Sequence, residues 1–315
     1  MTEVVSALDA SFLEFETPSA HMHVIGVTVL DPATAIDGFG FATVRRVIET
    51  RLLPLERFRQ RVHSPLLGLG SPLWQTDPRF DLDWHLRHIA LPAPGGAAEL
   101  ETLVGDIASR PLGRDRPLWE MWVVEGLEHG RWALISKIHH TVVDGLSGAA
   151  VLAHLLDLEP RPKAASPPMV VTASEPDLLA RVRAVGPRLL QELMASTPTP
   201  VFRGAMRLYE RLAATNRVAP FANLIISNVP GPTMPLYLGG ALVIAVHPLG
   251  PILDGTPLNL SVMSQQDRLD IGAIACRETV ADLGAITTGF ARAVEELRRV
   301  ATGRPPAPSR RIASA

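Results

Sequence analysis

Apolar residues recur along this chain with two different periods. Alternating or β-branched segments predict strands, whereas apolar residues that return every three to four positions predict helices. Strands are predicted at 23–30, 119–127, 132–138, 223–229, 258–263 and 269–275. Helices are predicted at 41–52, 99–109, 177–194, 202–212 and 280–300. The two kinds of element are mixed along the chain, which predicts a layered α/β (α+β) fold.

The segment HHTVVDG at 139–145 joins a predicted strand to an apolar-periodic segment that begins at Leu146. A histidine at the end of a strand is held by rigid backbone and stays open to a ligand. Asp144 follows four residues later, beside Gly145, and can fold back across the turn. An imidazole, a carboxylate that fixes nearby charge and a glycine where no side chain fits suit a general base.

Other interpretations of these residues compete with catalysis. Histidines most often have structural or surface roles. A metal site is a further alternative, but adjacent residues of a regular strand point to opposite faces, so His139 and His140 cannot both face one ion. Ser147 lacks the glycine–serine–glycine spacing of a hydrolase nucleophile. A metal site is therefore the less favoured chemical role, whereas acid–base chemistry and a structural role both stay open.

The composition indicates a globular protein with a large core. The chain has 315 residues, of which 47% are hydrophobic and 20% charged, and its formal net charge is −2. This length predicts two domains. The near-neutral charge gives no electrostatic reason to expect a nucleic-acid partner. Cys276 is the single cysteine, which excludes an intramolecular disulfide and favours a reducing compartment.

The sequence predicts neither a signal peptide nor a membrane span. The first nine residues include acids and lack the basic residues that begin a secretory signal. The most apolar stretch, 238–253, is interrupted by glycine, proline and histidine, and a span needs about 18 uninterrupted apolar residues. We therefore expect a cytoplasmic protein that is soluble or at most peripheral to a membrane.

Several motifs, in the same order, resemble those of the bacterial wax ester synthase/diacylglycerol acyltransferases. They are the opening segment 8–24, the tripeptide Pro117-Leu118-Trp119, the double-histidine motif at 139–145, and the segments 226–232 and 235–238. The resemblance extends over 5–160 and again over about 200–300. It implies a chloramphenicol-acetyltransferase-like fold, in which two similar α/β halves surround a tunnel.

The resemblance also implies a reaction and a role for each motif residue. His140 would be the general base that deprotonates the hydroxyl of a diacylglycerol or long-chain alcohol, and acyl-CoA would donate the acyl group without a further cofactor. Asp144 would hold the turn through a basic partner, and Gly145 would permit the close turn. His139 would pack beside the site. The side chains that would line the tunnel are Pro117, Leu118 and Trp119.

The chain is shorter than members of this family. The missing block falls between the proline-rich segment 160–176 and Phe202, and the family's asparagine–aspartate motif is absent. We predict a complete N-terminal half at 1–160, a linker and helix at 161–200, a shortened C-terminal half at 201–302 and a disordered tail at 303–315.

A shortened second half predicts exposed apolar surface. Such surface favours homo-oligomerisation, or peripheral association with the inner membrane face or with lipid bodies. The alternative to an acyltransferase is a catalytically inactive remnant of the same fold that binds a lipid or a partner protein. A continuous tunnel that reaches His140 would distinguish the enzyme from the remnant.

Overall fold

A computed structural model describes residues 2–63, 72–143, 148–161, 222–266 and 268–302. The strands are β1 Thr2–Val4, β2 His23–Asp31, β3 Gln60–His63, β4 Leu73–Thr76, β5 Leu86–Ala90, β6 Trp119–Glu125, β7 Trp132–His139, β8 Ile225–Pro230, β9 Tyr237–Leu238, β10 Ala241–Leu249, β11 Leu258–Gln265 and β12 Arg268–Ala275. The helices are α1 Ala7–Glu14, α2 Phe41–Val47, α3 Leu82–His85, α4 Ala97–Ser109, α5 His140–Val143, α6 Gly148–Leu155 and α7 Leu283–Thr302. A π-helical turn, Ile48–Leu52, extends α2.

The largest sheet has six strands in the order β5-β6-β7-β2-β10-β9. The pairs β6–β7, β7–β2 and β2–β10 are antiparallel, and β5 pairs with β6 in parallel. Helix α4 supplies Ile107 to the core on one face of this sheet, and α2 supplies Val44 and Val47 to the core on the other. Strand β7 is therefore buried on both faces, and seven of its residues, 133–139, are buried.

Two three-stranded sheets complete the described part of the fold. One has the order β1-β4-β3, and the other has the order β12-β11-β8 with β8 parallel to β11. The second sheet approaches β10 closely, since the Asp270 carboxylate accepts a hydrogen bond from the Val246 backbone N–H at 2.8 Å. Gly272 permits this approach, because a Cβ atom there would lie 1.8 Å from the Pro248 carbonyl oxygen.

The structure confirms the mixed α/β class and the predicted elements that it describes. The hairpin of β6 and β7 turns through Glu128–Gly130, as the sequence predicts. The final helix begins at Leu283 rather than 280. The predicted helices at 177–194 and 202–212 and the tail at 303–315 lie outside the described residues, and the predicted domain boundaries remain a prediction.

Strand β10 was not predicted, although it pairs with β2 over seven register positions. Pro248 and the surrounding glycines weaken its β pattern, and a bulge between Val243 and Ala245 interrupts its alternation. Its position next to β2 brings a strand from late in the sequence into the sheet that carries β7. None of the described helices is both long enough and apolar enough to span a bilayer.

Candidate active site

The double histidine lies where β7 ends and α5 begins. The His139 backbone N–H donates to the Leu118 carbonyl at 3.0 Å, and the His140 N–H donates to the Met22 carbonyl at 2.9 Å. Leu118 immediately precedes β6 and Met22 immediately precedes β2, so the pair is tied to both neighbouring strands. Met22 has a positive φ of 49°, which is strained for a residue with a side chain.

The two imidazoles occupy different environments. His139 points into the protein and is only 1% exposed, whereas His140 is half-buried. The ring of His140 packs on Phe12 of α1, with ring centroids 4.0 Å apart and an interplanar angle of 32°. The change from strand to helix at this junction turns adjacent residues toward different surroundings. His140 is thus the more accessible histidine of the pair.

His139 is a neutral imidazole with an assigned proton. Its Nδ1 atom accepts a hydrogen bond from the Thr141 backbone N–H at 3.1 Å, so the ring proton is on Nε2. Burial lowers the pKa of His139 to about 3, and the charges of Arg114 and His140 contribute in the same direction. At neutral pH, His139 therefore adds no positive charge beside His140.

Helix α1 and the residues after it contact the junction of β7 and α5. The Thr141 hydroxyl donates to the Asp9 carbonyl at 2.8 Å. The Nε2 atom of His139 lies 3.9 Å from a carboxylate oxygen of Glu16, and Glu16 also forms an ion pair with Arg114. The junction of β7 and α5 is therefore connected both to the N-terminal half of α1 and to the residues that follow α1.

Two further buried side chains near His139 carry nitrogen atoms, namely Lys137 on β7 and His23 on β2. Lys137 donates from Nζ to the carbonyls of Ile107 and Arg110, at 2.9 and 2.6 Å. It thereby satisfies carbonyls at the C-terminal end of α4. Burial lowers the pKa of Lys137. Burial also lowers the pKa of His23, to about 2, with smaller contributions from Lys137 and the neighbouring histidines.

Pro117, Leu118 and Trp119 are all buried. The Trp119 indole N–H donates to the Phe58 carbonyl at 2.8 Å, and its backbone carbonyl accepts from Nδ1 of His85 at 2.8 Å. The rings of Trp119 and His85 are stacked with centroids 4.6 Å apart. The tripeptide thus belongs to the core beside the double histidine, and its role as a tunnel wall remains a prediction.

Asp144 and Gly145 lie outside the described residues, so their predicted roles remain predictions. Within the described ranges, no group of histidine, cysteine and acidic side chains has the arrangement of a metal site. The described part of the chain has a polar cavity of about 220 Å³, and neither histidine of the pair lines it. Its lining residues are Asp77, Arg79, Asp81, Trp84, His85, Asp115 and Arg116.

The sequence profile of the wax ester synthase/diacylglycerol acyltransferase catalytic domain matches residues 5–306. The chain belongs to this family. The family suggested by the motifs is therefore confirmed. The double histidine, and with it the junction of β7 and α5, lies within the matched residues of this acyltransferase family member.

The curated relatives of this family member include mycobacterial proteins. A putative diacylglycerol O-acyltransferase of Mycobacterium tuberculosis (strain CDC 1551 / Oshkosh) is 27% identical, and the alignment covers 96% of this chain and 91% of the relative. That alignment extends over 461 positions, whereas this chain has 315 residues, so the relative contains residues with no counterpart here. A probable diacylglycerol O-acyltransferase of the same organism is 36% identical over 61% of this chain and 70% of its own length.

Two solved structures show the fold of this family member. The wax ester synthase/diacylglycerol acyltransferase from Marinobacter aquaeolei VT8 superposes with a TM-score of 0.69 at 23% identity, covering 96% of this chain and all of that one. The first condensation domain of the calcium-dependent antibiotic synthetase superposes with a TM-score of 0.58 at 13% identity, covering 93% and 95% of the two chains. The predicted acyltransferase-like fold is confirmed.

Several residues around the double histidine were not singled out from the sequence. The sequence could have pointed to Lys137, since a lysine inside an otherwise apolar strand indicates a buried and paired ammonium group. Glu16 lies within the opening segment that supports the family resemblance, but nothing in its local sequence connects it to His139. Arg114 lies in a loop without regular periodicity and carried no signal.

Proposed function

We propose that this protein is an O-acyltransferase in which His140 is the general base. The enzyme would transfer a long-chain acyl group from acyl-CoA to the hydroxyl of a diacylglycerol or a long-chain alcohol. One observation carries the proposal: of two adjacent histidines in the family's motif, His139 is enclosed and neutral, whereas His140 is half-buried at the end of a rigid strand. The relatives named as diacylglycerol O-acyltransferases support the reaction class.

The reaction needs one proton acceptor and no redox partner. In the proposed step, a ring nitrogen of His140 takes the proton of the acceptor hydroxyl. At the same time the hydroxyl oxygen forms a C–O bond with the carbonyl carbon of the thioester. The carbonyl then re-forms as the C–S bond breaks, and the thiolate leaving group takes the proton from the imidazolium. The products are the ester and free coenzyme A. Acyl-CoA is a substrate, so we propose no resident cofactor.

We assign the other motif residues supporting roles. Asp144 holds the turn after α5 by a charge-assisted bond to a basic partner, and Gly145 allows the close turn. His139 packs beside the base. Apolar walls suit an acyl chain, and we propose that Pro117, Leu118 and Trp119 contribute to such a wall.

The second candidate function is a non-catalytic remnant of the fold that binds lipid or a partner protein. The observation that favours it is the length difference from the 461-position alignment, which leaves part of the relative unmatched. Helix α7 also exposes Val294, Leu297 and Val300 along one face. For both candidates we propose that this apolar face contacts a lipid surface, and hence a peripheral location on the inner membrane face or on lipid bodies. Homo-oligomerisation is the competing use of the same face.

Coenzyme A release from palmitoyl-CoA tests the reaction, with diolein or hexadecanol as acceptor. We expect acceptor-dependent release by the wild-type chain and a loss of about 10²–10⁴-fold in His140→Ala. His139→Ala should retain a measurable rate, and His129→Asn, which replaces an exposed histidine, is the matched control. Equal rates in the wild-type chain and His140→Ala would reject the proposed base. The remnant would be favoured if the folded wild-type protein released no coenzyme A above the mutant with either acceptor.

A further inference from the structure

Helix α1 and the two residues after it contact both the double histidine and Arg114. Phe12 packs on the His140 ring, and Arg114 donates from Nη2 to the Leu13 carbonyl at 2.8 Å. Arg114 also donates from Nε to the Glu16 carboxylate at 3.1 Å. The Nε2 atom of His139 lies 3.9 Å from the same carboxylate. The residues that meet here come from three separate parts of the sequence.

We propose that Glu16 and Arg114 are positioning residues for His140, and that they act through α1, Phe12 and the first turn of α5. This inference rests on the proposed function, because it assumes that His140 is the reacting imidazole. Neither residue is proposed to touch substrate. Their effect would be to hold the His140 ring in one orientation.

Arg114 anchors the C-terminal end of α1. Its guanidinium contacts two groups at once, the Leu13 carbonyl and the Glu16 carboxylate. A planar guanidinium with several donors can satisfy such a pair, whereas an ammonium group has no equivalent fork. The Glu16 side chain is 12% exposed and the Arg114 side chain is 42% exposed, so the carboxylate is shielded from solvent while the guanidinium reaches the surface. The position of Phe12, one helical turn before Glu16, depends on this anchor.

Glu16 also contributes through His139, the first residue of the double histidine. The proton of His139 is on Nε2, which forms no hydrogen bond within the described residues and lies 3.9 Å from the Glu16 carboxylate, so the carboxylate attracts this edge of the ring by charge alone. Nδ1 of His139 is then left to accept the Thr141 N–H, which lies in the turn that directly follows His140. The positions of the backbone after His140 and of the His140 ring therefore both depend on the Glu16–Arg114 pair.

His140 needs such support because it begins a short helix. Helix α5 has four residues, His140–Val143, too few for its own hydrogen bonds to hold the helix without tertiary contacts. A catalytic base must be held within about 0.5 Å of its productive position. Phe12 supplies a flat surface against the His140 ring, and its own position depends on α1.

Kinetics of matched arginine variants form the first arm of the test. Arg114→Ala should lower kcat by about 10- to 100-fold while KM for palmitoyl-CoA stays within about twofold, since a misplaced base slows the chemical step without removing a substrate contact. Arg114→Lys should recover part of the loss, because a lysine can reach one of the two acceptors. Arg116→Ala is the control, since this arginine of the same loop contacts Trp84 instead. Equal kcat values in Arg114→Ala and Arg116→Ala would overturn the proposal.

The second arm is histidine-selective NMR, which needs no turnover. The Phe12 ring should shift the His140 ring protons away from ordinary values in the wild-type chain. We expect this shift to collapse in Arg114→Ala and in Glu16→Ala and to persist in Arg116→Ala, at a temperature where all four proteins are folded. Unchanged His140 signals in Arg114→Ala would overturn the positioning role. A wild-type chain that shows the expected shifts but no acyl transfer would reject the proposed function alone.

Discussion

His23 and His139 are register partners on the adjacent antiparallel strands β2 and β7, and their rings are 6.2 Å apart in an edge-to-face arrangement. Burial lowers the pKa of His139 to about 3 and that of His23 to about 2. The histidine pair that is adjacent in sequence is thus accompanied by a second histidine pair that only the sheet creates. Both members of the second pair are neutral at physiological pH.

This buried pair predicts an acid-sensitive fold. The folded-state pKa values lie below the unfolded value of about 6.5, so stability is present above pH 6.5 and falls as the pH drops toward 3. In that window the unfolded chain binds protons that the native chain cannot. Each histidine should lower the unfolding free energy by about 2 kcal/mol between pH 7 and pH 5.

Urea unfolding at pH 7, 6 and 5 measures this dependence. Over this range His23→Leu should reduce the pH dependence by about 1 kcal/mol per pH unit, because one linked proton is removed. His129→Asn, at an exposed position, should leave the slope unchanged. If His23→Leu and the wild-type chain lose stability equally on acidification, the buried histidine is not the cause.

Trp119 should contribute a specific hydrogen bond to stability. Trp119→Phe leaves the buried Phe58 carbonyl without its indole donor, and we expect a loss of about 1–3 kcal/mol in the free energy of unfolding. Trp84→Phe is the matched control, since Trp84 is 52% exposed, and it should change stability by less than about 0.5 kcal/mol. Indistinguishable urea midpoints of the two variants would contradict this prediction. The acyl chain-length preference of Trp119→Phe tests the separate tunnel-wall proposal.

Gly272 should be intolerant of a side chain. An added Cβ would meet the Pro248 carbonyl oxygen at 1.8 Å, so Gly272→Ala must separate β12 from β10. We expect a destabilisation of about 3 kcal/mol in thermal or urea unfolding. In contrast, Gly105→Ala, at an exposed position in α4 with open space around it, should stabilise by about 1 kcal/mol. A stable Gly272→Ala protein would show that the two sheets can shift apart freely.

The apolar face of α7 should mediate contact with lipid. Leu297 and Val300 are 69% and 79% exposed, so their joint replacement by glutamine should leave the unfolding free energy within about 0.5 kcal/mol. It should, however, reduce co-flotation with triolein droplets coated with phosphatidylglycerol. Ala285→Gln, on the polar side of the same helix, is the control. Unchanged flotation together with a smaller sedimentation coefficient would assign this face to self-association instead.

Much of the fold was predictable because periodicity is a local property. Strands β2, β6, β7, β11 and β12 and helices α4 and α7 follow from apolar spacing alone. Strand β10 did not, because Pro248 and a bulge disturb its alternation, and its place beside β2 depends on residues more than 200 positions earlier. The short strands β3 and β4 contain too few residues for a period to be recognised.

The candidate site divides in the same way. The sequence by itself determined the family and the place of His139 and His140 at a strand end, since both depend on contiguous motifs. Only the tertiary structure decided which histidine is accessible and that Glu16 and Arg114 stand beside them. Burial and charge pairing arise between segments that are distant in sequence, and no local pattern of residues encodes those distances.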